Sequence, residues 1–394
     1  MSPHKPFKYC LTIIIYVVIL IFLSMQPAAF GETVKKGIVL LVQFPDIPNQ
    51  VDRNQVQFRF SRQLNNYVHE MSYGKVALEI DVTKKWYTLP SPVSKYRISS
   101  RNLEVDRTRI RKIIDDAINA SDAEVNFATY DFAVIYLGAR ANDYGMIGLC
   151  GYPGMLGWSS AEKVKTKSGQ QLQNGIAIFC YQAHLGTLFH DIAHIFGGVQ
   201  NGKRMVPCLY DHDLQAKPGP MRETFLAAMI NLGYWDPMSC HYIKFGVPPP
   251  GICSWTKLRL GWIDSSQVKM ITPSPAGEEV LLGPLEDGTA KILVIKIPIS
   301  SSTYYLIENR QPIGYDRYIP GSGILIMYAD DNIAECRHNQ APVKLVNANP
   351  AIPNLEGATF DIGKKILFGD AKNRLKIQVI EKQGTAYKIR ISRI

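Results

Sequence analysis

Two histidines four residues apart, His190 and His194, with the acid Asp191 beside the first, are the residue types in this chain best spaced for chemistry. They sit in residues 185–198, LGTLFHDIAHIFGG. Leu185, Leu188, Phe189, Ile192, Ile195 and Phe196 recur at helical spacing, and Gly197 and Gly198 supply the residue that most easily ends a helix. On a helix, side chains at i and i+4 project from one face about a turn apart, so both imidazoles can reach one ion. Zincins hold their metal at this spacing, with an acid beside the first histidine to handle the water. The usual acid is Glu, and this chain has Asp191. Paired histidines in an apolar helix also occur as satisfied core residues, so the rest of the chain must decide.

The chain has 394 residues, 46% hydrophobic and 20% charged, which suits two domains of ordinary globular composition. His4, Lys5 and Lys8 precede an apolar run over residues 9–25, and Ala29-Phe30-Gly31 is a small-x-small cleavage site. Residues 1–31 therefore read as a signal peptide, with export to a secreted, periplasmic or cell-surface location. An uncleaved anchor is the competing reading, and no other stretch could cross a bilayer. Without Lys5 and Lys8, the net charge of +10 becomes +8. The bases are scattered and carry no nucleic-acid motif, which argues for a solvated surface. Beyond Cys10 there are six cysteines, at 150, 180, 208, 240, 253 and 336. An even number in an exported chain predicts disulfides, with connectivity open. No CxxC pair is present to suggest a structural zinc site.

The elements that must position the histidines follow from periodicity. Residues 36–44 and 131–137 read as buried strands, and 56–70 and 103–120 as helices. A turn at Tyr73-Gly74 leads into an alternating strand at 76–82. Residues 138–168, rich in Gly, Tyr and Ser, read as an irregular loop, and 175–181 as a strand running directly into the histidine helix. VQNGKRMVP after Gly198 reads as a polar connection, and 221–232 and 253–262 as helices. From Gln267 onward the runs EEVLLGPL, KILVIKIPI, TYYLIENRQ, GSGILIMYA, APVKLVNA, RLKIQVIEK and TAYKIRISRI are strand-like. The expected fold is α+β. A signal peptide at 1–31 precedes a zincin-like catalytic domain at 32–266, a twisted sheet plus the active-site helix. An all-β C-terminal domain occupies 267–394. Glu308 and Arg310 alternate on one strand and read as a surface or interdomain ion pair.

Seven landmarks together resemble the immune inhibitor A family of secreted bacterial zinc metallopeptidases. They are LVQFPD at 41–46, EMSYGKVALEI at 70–80, HDIAHIFGG at 190–198, PCLYD at 207–211, YWDPMS at 234–239, SWTKLRLGW at 254–262 and YYLIENRQPIGYDRYIPGSGILIMYADD at 304–331. The resemblance implies a zinc-dependent endopeptidase in which a metal-activated water attacks the peptide carbonyl. His190 and His194 would bind Zn2+, and Asp191 would be the general base. Met238 would lie beneath the metal. His241 and Tyr242, just past it, are candidate proton donors or oxyanion partners. The sequence departs from the family twice. The Asp191 carboxylate is one methylene short, and a misplacement of about an ångström can cost about 100-fold in rate. The family's third ligand, an Asp six residues after the second histidine, falls here on Gln200. Eight extra residues move the matching position to Cys208, and Asp211 follows three residues later. Asp211 is slightly favoured over Cys208 because it leaves six cysteines to pair, with His212 and Asp213 as outside choices. These departures leave a second reading open, a weak or inactive zincin-fold protein that acts as a binding or assembly module. A protein or peptide is the expected partner in the first reading, with no nucleic acid and no membrane span once the signal is removed.

Overall fold

The structure is a computed structural model, and it describes residues 31–98, 105–158, 164–172, 175–210, 231–337 and 340–394. β1 (Thr33–Gln43) leads into α1 (Arg53–Phe58), which continues through a π-helical turn, Arg59–Leu64, into α2 (Asn65–Met71). There follow β2 (Val76–Val82), β3 (Tyr87–Thr88), α3 (Arg107–Ser121), β4 (Phe132–Leu137), β5 (Gly148–Tyr152), β6 (Gly175–Cys180) and α4 (Leu185–Gly197). These six strands form one sheet in the order β2-β1-β4-β6-β5, with β3 beside β1. β1, β4 and β6 run parallel, while β5 ends the order antiparallel to β6.

Strand alternation decides what covers each face of this sheet. Ile38, Leu40, Ala133, Ile135, Ile176 and Ile178 point to one side, where α3 lays down Ile110, Ile113, Ile114 and Ala117. Val39, Leu41, Val134, Tyr136, Ala177 and Phe179 point to the other, onto Phe60 and Leu64 and onto Leu188, Phe189 and Ile192 of α4. A parallel sheet covered on both faces needs apolar residues in both registers, hence the continuous hydrophobic runs. Arg59 in the π turn donates to the carbonyls of Tyr181 and Ala183, tying down the segment that enters α4. His184 caps that helix, its Nδ1 accepting the N–H of Gly186.

After α4 come the hairpin β7 (Val199–Gln200) and β8 (Lys203–Arg204), then α5 (Ser254–Arg259). Beyond α5 lie β9 (Val268–Met270), β10 (Glu278–Leu282), β11 (Val294–Pro298), β12 (Thr303–Arg310), β13 (Gly323–Asp330), β14 (Val343–Leu345), β15 (Leu367–Asp370), β16 (Leu375–Gln383) and β17 (Ala386–Arg393). They form a five-stranded sheet, β14-β13-β12-β11-β9, and a four-stranded sheet, β10-β17-β16-β15. The described residues are thus a mixed α+β structure, richer in sheet than in helix.

Several expectations change. The 138–168 loop contains β5, whose two glycines hide it from strand propensity. The polar connection after Gly198 is a hairpin whose turn residues Asn201 and Gly202 both have positive φ, 49° and 72°. β9 and β15 were not read as strands. The six cysteines are all buried and none is in a disulfide, so the expected disulfides are not formed. Placement is the reason: Cys150 packs in the core on one face of the central sheet and Cys180 in the core on the other. Their thiols donate instead to nearby carbonyls, Cys150 to Pro153 at 3.3 Å and Cys180 to Met146 at 3.1 Å. The signal peptide, the 221–232 helix save for its last two residues, and Asp211, His212 and Asp213 lie outside the described residues. Among the described residues no helix is long and apolar enough to cross a membrane.

Glu308 and Arg310 are not a surface pair. On β12, Tyr305 and Ile307 face the core between the two later sheets, whereas Tyr304 and Leu306 face the core shared with α4. Glu308 and Arg310 keep that second register and are both fully buried. The Arg310 guanidinium binds Asp316 through two nitrogens at 2.7 and 2.8 Å, Glu308 at 3.2 Å and Glu286 at 3.2 Å. It also donates to the carbonyls of Trp235 (2.8 Å) and Gly251 (3.0 Å). Glu308 in turn accepts the N–H of Ser254 at the start of α5, at 2.6 Å. Removing the cation strands three buried carboxylates. Arg310→Leu should therefore lower the unfolding free energy by about 3–5 kcal/mol. Chemical denaturation checks this, and a loss below about 1 kcal/mol, the level of an exposed pair, would contradict it.

Candidate metal centre

The histidine helix is held where its polar face meets three other segments. Gly186 lies so close to the chain at residue 241 that a Cβ there would collide with the His241 carbonyl. Only glycine lets the helix approach this loop. The loop is itself pinned by buried Asp236, whose carboxylate accepts the N–H of Met238 (2.7 Å), the N–H of Cys253 (2.9 Å) and the hydroxyl of Thr256 (2.8 Å). Pinning Asp236 places the next carbonyl, that of Pro237, against His190.

His190 and His194 are buried and each meets a backbone carbonyl through Nδ1. His190 Nδ1 donates to Pro237 O at 3.0 Å, and His194 Nδ1 donates to Val206 O at 2.6 Å. A carbonyl can only accept, so each Nδ1 carries the hydrogen and each Nε2 presents a lone pair. Both Nε2 atoms lie 3.4 Å from Cys208 Sγ. The three donor atoms lie within 4.8 Å of one another, all buried. Tetrahedral bonds of about 2.3 Å to sulfur and 2.0–2.1 Å to nitrogen would place S and N about 3.5 Å apart. Two imidazoles with fixed tautomers and one thiolate at that spacing fit a metal ion. No ion need be invoked for the fold of the loop, because Leu209 N–H donates to Met238 O at 2.8 Å beside the cluster.

Asp191 is buried against β5. A Cβ on Gly148 would stand 3.0 Å from its Oδ2, and the carboxylate accepts the backbone N–H of Cys150. Burial pushes its pKa up to about 7, partly offset by His190 and Arg204. His194 is pushed the opposite way from its ordinary value, down to about 4, by burial and then by the Arg204 cation. Burial also opposes charge on His190, but the Cys208 thiolate beside it leaves its pKa raised overall.

Of the other residues picked out in the sequence, His241 packs its ring, tilted, 4.4 Å from that of His190 and meets Thr187 Oγ1 through Nδ1 at 3.0 Å. Its pKa is held well below the ordinary imidazole value by burial and by His190. Tyr242 packs its ring on His184 at 4.7 Å and on Phe245 at 6.0 Å. Met238 is fully buried in the adjoining core. Two further residues at the cluster carried no role in the sequence reading. Tyr210 lies nearly parallel to His190, 5.6 Å away, and hydrogen-bonds to Cys208. Arg204 is 6% exposed and reaches Cys208 Sγ at 3.8 Å. The Asn-Gly turn was the one sequence signal that could have placed Arg204, since a tight hairpin there swings β8 back toward the helix.

The chain matches no family model and no curated protein. The chemistry of the site therefore rests on its own residues.

If the cluster is a metal centre, protein purified without chelator should carry about one ion per chain, most simply zinc. His190→Ala, His194→Ala and Cys208→Ala should each lose it while remaining folded. Metal analysis checks this, and metal-free fresh protein would contradict it. Because the ion binds only the native state, chelation should lower the melting temperature.

Proposed function

We propose that the chain is an exported zinc-dependent endopeptidase of the immune inhibitor A type. In this reading a zincin-like catalytic region is followed by an all-β C-terminal region. The observation that carries the reading is the convergence of His190 Nε2, His194 Nε2 and Cys208 Sγ on one buried point, with both imidazoles oriented by backbone carbonyls. Zinc held by these three residues would supply Lewis acidity toward a water and a peptide carbonyl. Cys208 is the favoured third ligand here, since its thiolate completes the donor set.

The chain's own groups would do the rest. Asp191, buried and with its pKa near 7, is suited to take a proton from the attacking water and return it to the leaving amine. The N–H of Cys150 fixes one side of its carboxylate. This supports a second-best acid held in place by the sheet edge. His241 can donate to the developing oxyanion from its position beside His190. β5 ends the sheet order and runs antiparallel, as an edge suited to an extended peptide would.

The shortness of Asp191 and the occupation of its carboxylate by Cys150 favour the second reading, a zincin-fold module that keeps its metal and binds without cleaving. Asp191→Asn separates the two. It keeps size and hydrogen-bonding capacity but removes basicity. Peptidase turnover on an unfolded protein should fall by about 100-fold or more while metal content stays unchanged. Equal turnover in both proteins would remove Asp191 from the mechanism. A metal-loaded wild type that cleaves no unfolded protein would favour the binding module.

A further inference from the structure

The hairpin that brings Cys208 to the histidines also brings a buried cation. Asn201 and Gly202 turn the chain so that Arg204 leaves β8 pointing inward. One guanidinium nitrogen binds Glu335 Oε2 at 2.9 Å, and Nε reaches Oε1 at 3.3 Å. The side chains of the pair are 6% and 16% exposed. Trp158 lies over the guanidinium, 4.9 Å from its carbon. Held on these two sides, the same terminal nitrogen that binds Glu335 is directed at Cys208 Sγ, 3.8 Å away.

We infer that Arg204 is a positioning residue for the metal centre: its N–H···S hydrogen bond withdraws charge from the Cys208 thiolate. This rests on the proposal that His190, His194 and Cys208 hold a metal. The physical need is specific to this ligand set. A thiolate donates more electron density than the carboxylate expected from the family, and a richer sulfur makes a bound ion a weaker Lewis acid. Hydrogen bonds to ligating atoms tune that donation, and a charged donor does so most strongly. Glu335 sets how much of the guanidinium's charge is left for sulfur. A cation in this place is also costly to bury without partners, so Glu335 and Cys208 together account for its being there.

The test uses Co(II) as the probe, loaded into the whole protein, and reads the sulfur-to-cobalt charge-transfer band. Arg204→Met removes the hydrogen bond, raises the sulfur donor level and should move the band to lower energy. Arg204→Lys should recover part of that shift. Glu335→Gln keeps the guanidinium and removes its competing anion, so the band should move to higher energy. A purely structural clamp would give the same band in all of these proteins, and that outcome would overturn the inference. If Arg204→Met does not fold, the direction of the Glu335→Gln shift decides alone. The two proposals fail separately. Wild type that takes up no Co(II) overturns the metal centre and this inference with it. Wild type with a thiolate band that neither substitution moves overturns this inference only.

Discussion

The site depends on two hydrogen bonds from imidazole to backbone. His190 Nδ1 to Pro237 O and His194 Nδ1 to Val206 O fix ring orientation and tautomer together. Without them a buried histidine pair could turn either nitrogen inward, and the lone pairs would not converge. Each carbonyl is placed by something larger. Pro237 follows Asp236, which is locked to Cys253 and Thr256 at the start of α5. That start is held in turn by Glu308, and Trp235 by Arg310, from β12. The buried ion cluster thus grips Trp235, two residues before the Pro237 carbonyl that orients His190. Its desolvation is tolerated because every charge in it is shared.

The second anchor, Val206, follows directly on the β7–β8 hairpin. The short segment from Gly197 to Cys208 brings together a carbonyl for His194, the Cys208 sulfur and the Arg204 guanidinium. In the proposed reading, these contacts would stand in for the Asp ligand of the family the chain resembles. In the proposed reading the general base would be the shorter acid Asp191, which packs against β5.

Much of this was legible beforehand. The buried strands β1, β4 and β6, the helix carrying His190 and His194 and most of the later strands follow from apolar periodicity, because burial on one or two faces writes itself into the residue pattern. β5 was not legible: Gly-Leu-Cys-Gly-Tyr has neither alternation nor β-branched residues, and only the antiparallel partner β6 makes it a strand. The β7–β8 hairpin was legible in its Asn-Gly pair but read as a loose connection, which hid Arg204. The absence of disulfides could not be deduced from an even count. Cys150 and Cys180, for example, sit in cores on opposite faces of the central sheet, and that separation exists only in the folded chain. The burial of Glu308 and Arg310 was within reach, since they share a register with Tyr304 and Leu306. What periodicity lacked was the knowledge that this side of the strand faces another core.

The most direct test of the account is the first coordination shell of the zinc-loaded protein, read by X-ray absorption at the zinc edge. Ligation by His190, His194 and Cys208 requires one sulfur at about 2.3 Å and two imidazole nitrogens at about 2.0–2.1 Å. Cys208→Ala should remove the sulfur. A shell of nitrogen and oxygen scatterers alone, with Cys208 titrating as a free thiol in the loaded protein, would contradict the ligand set on which the account rests.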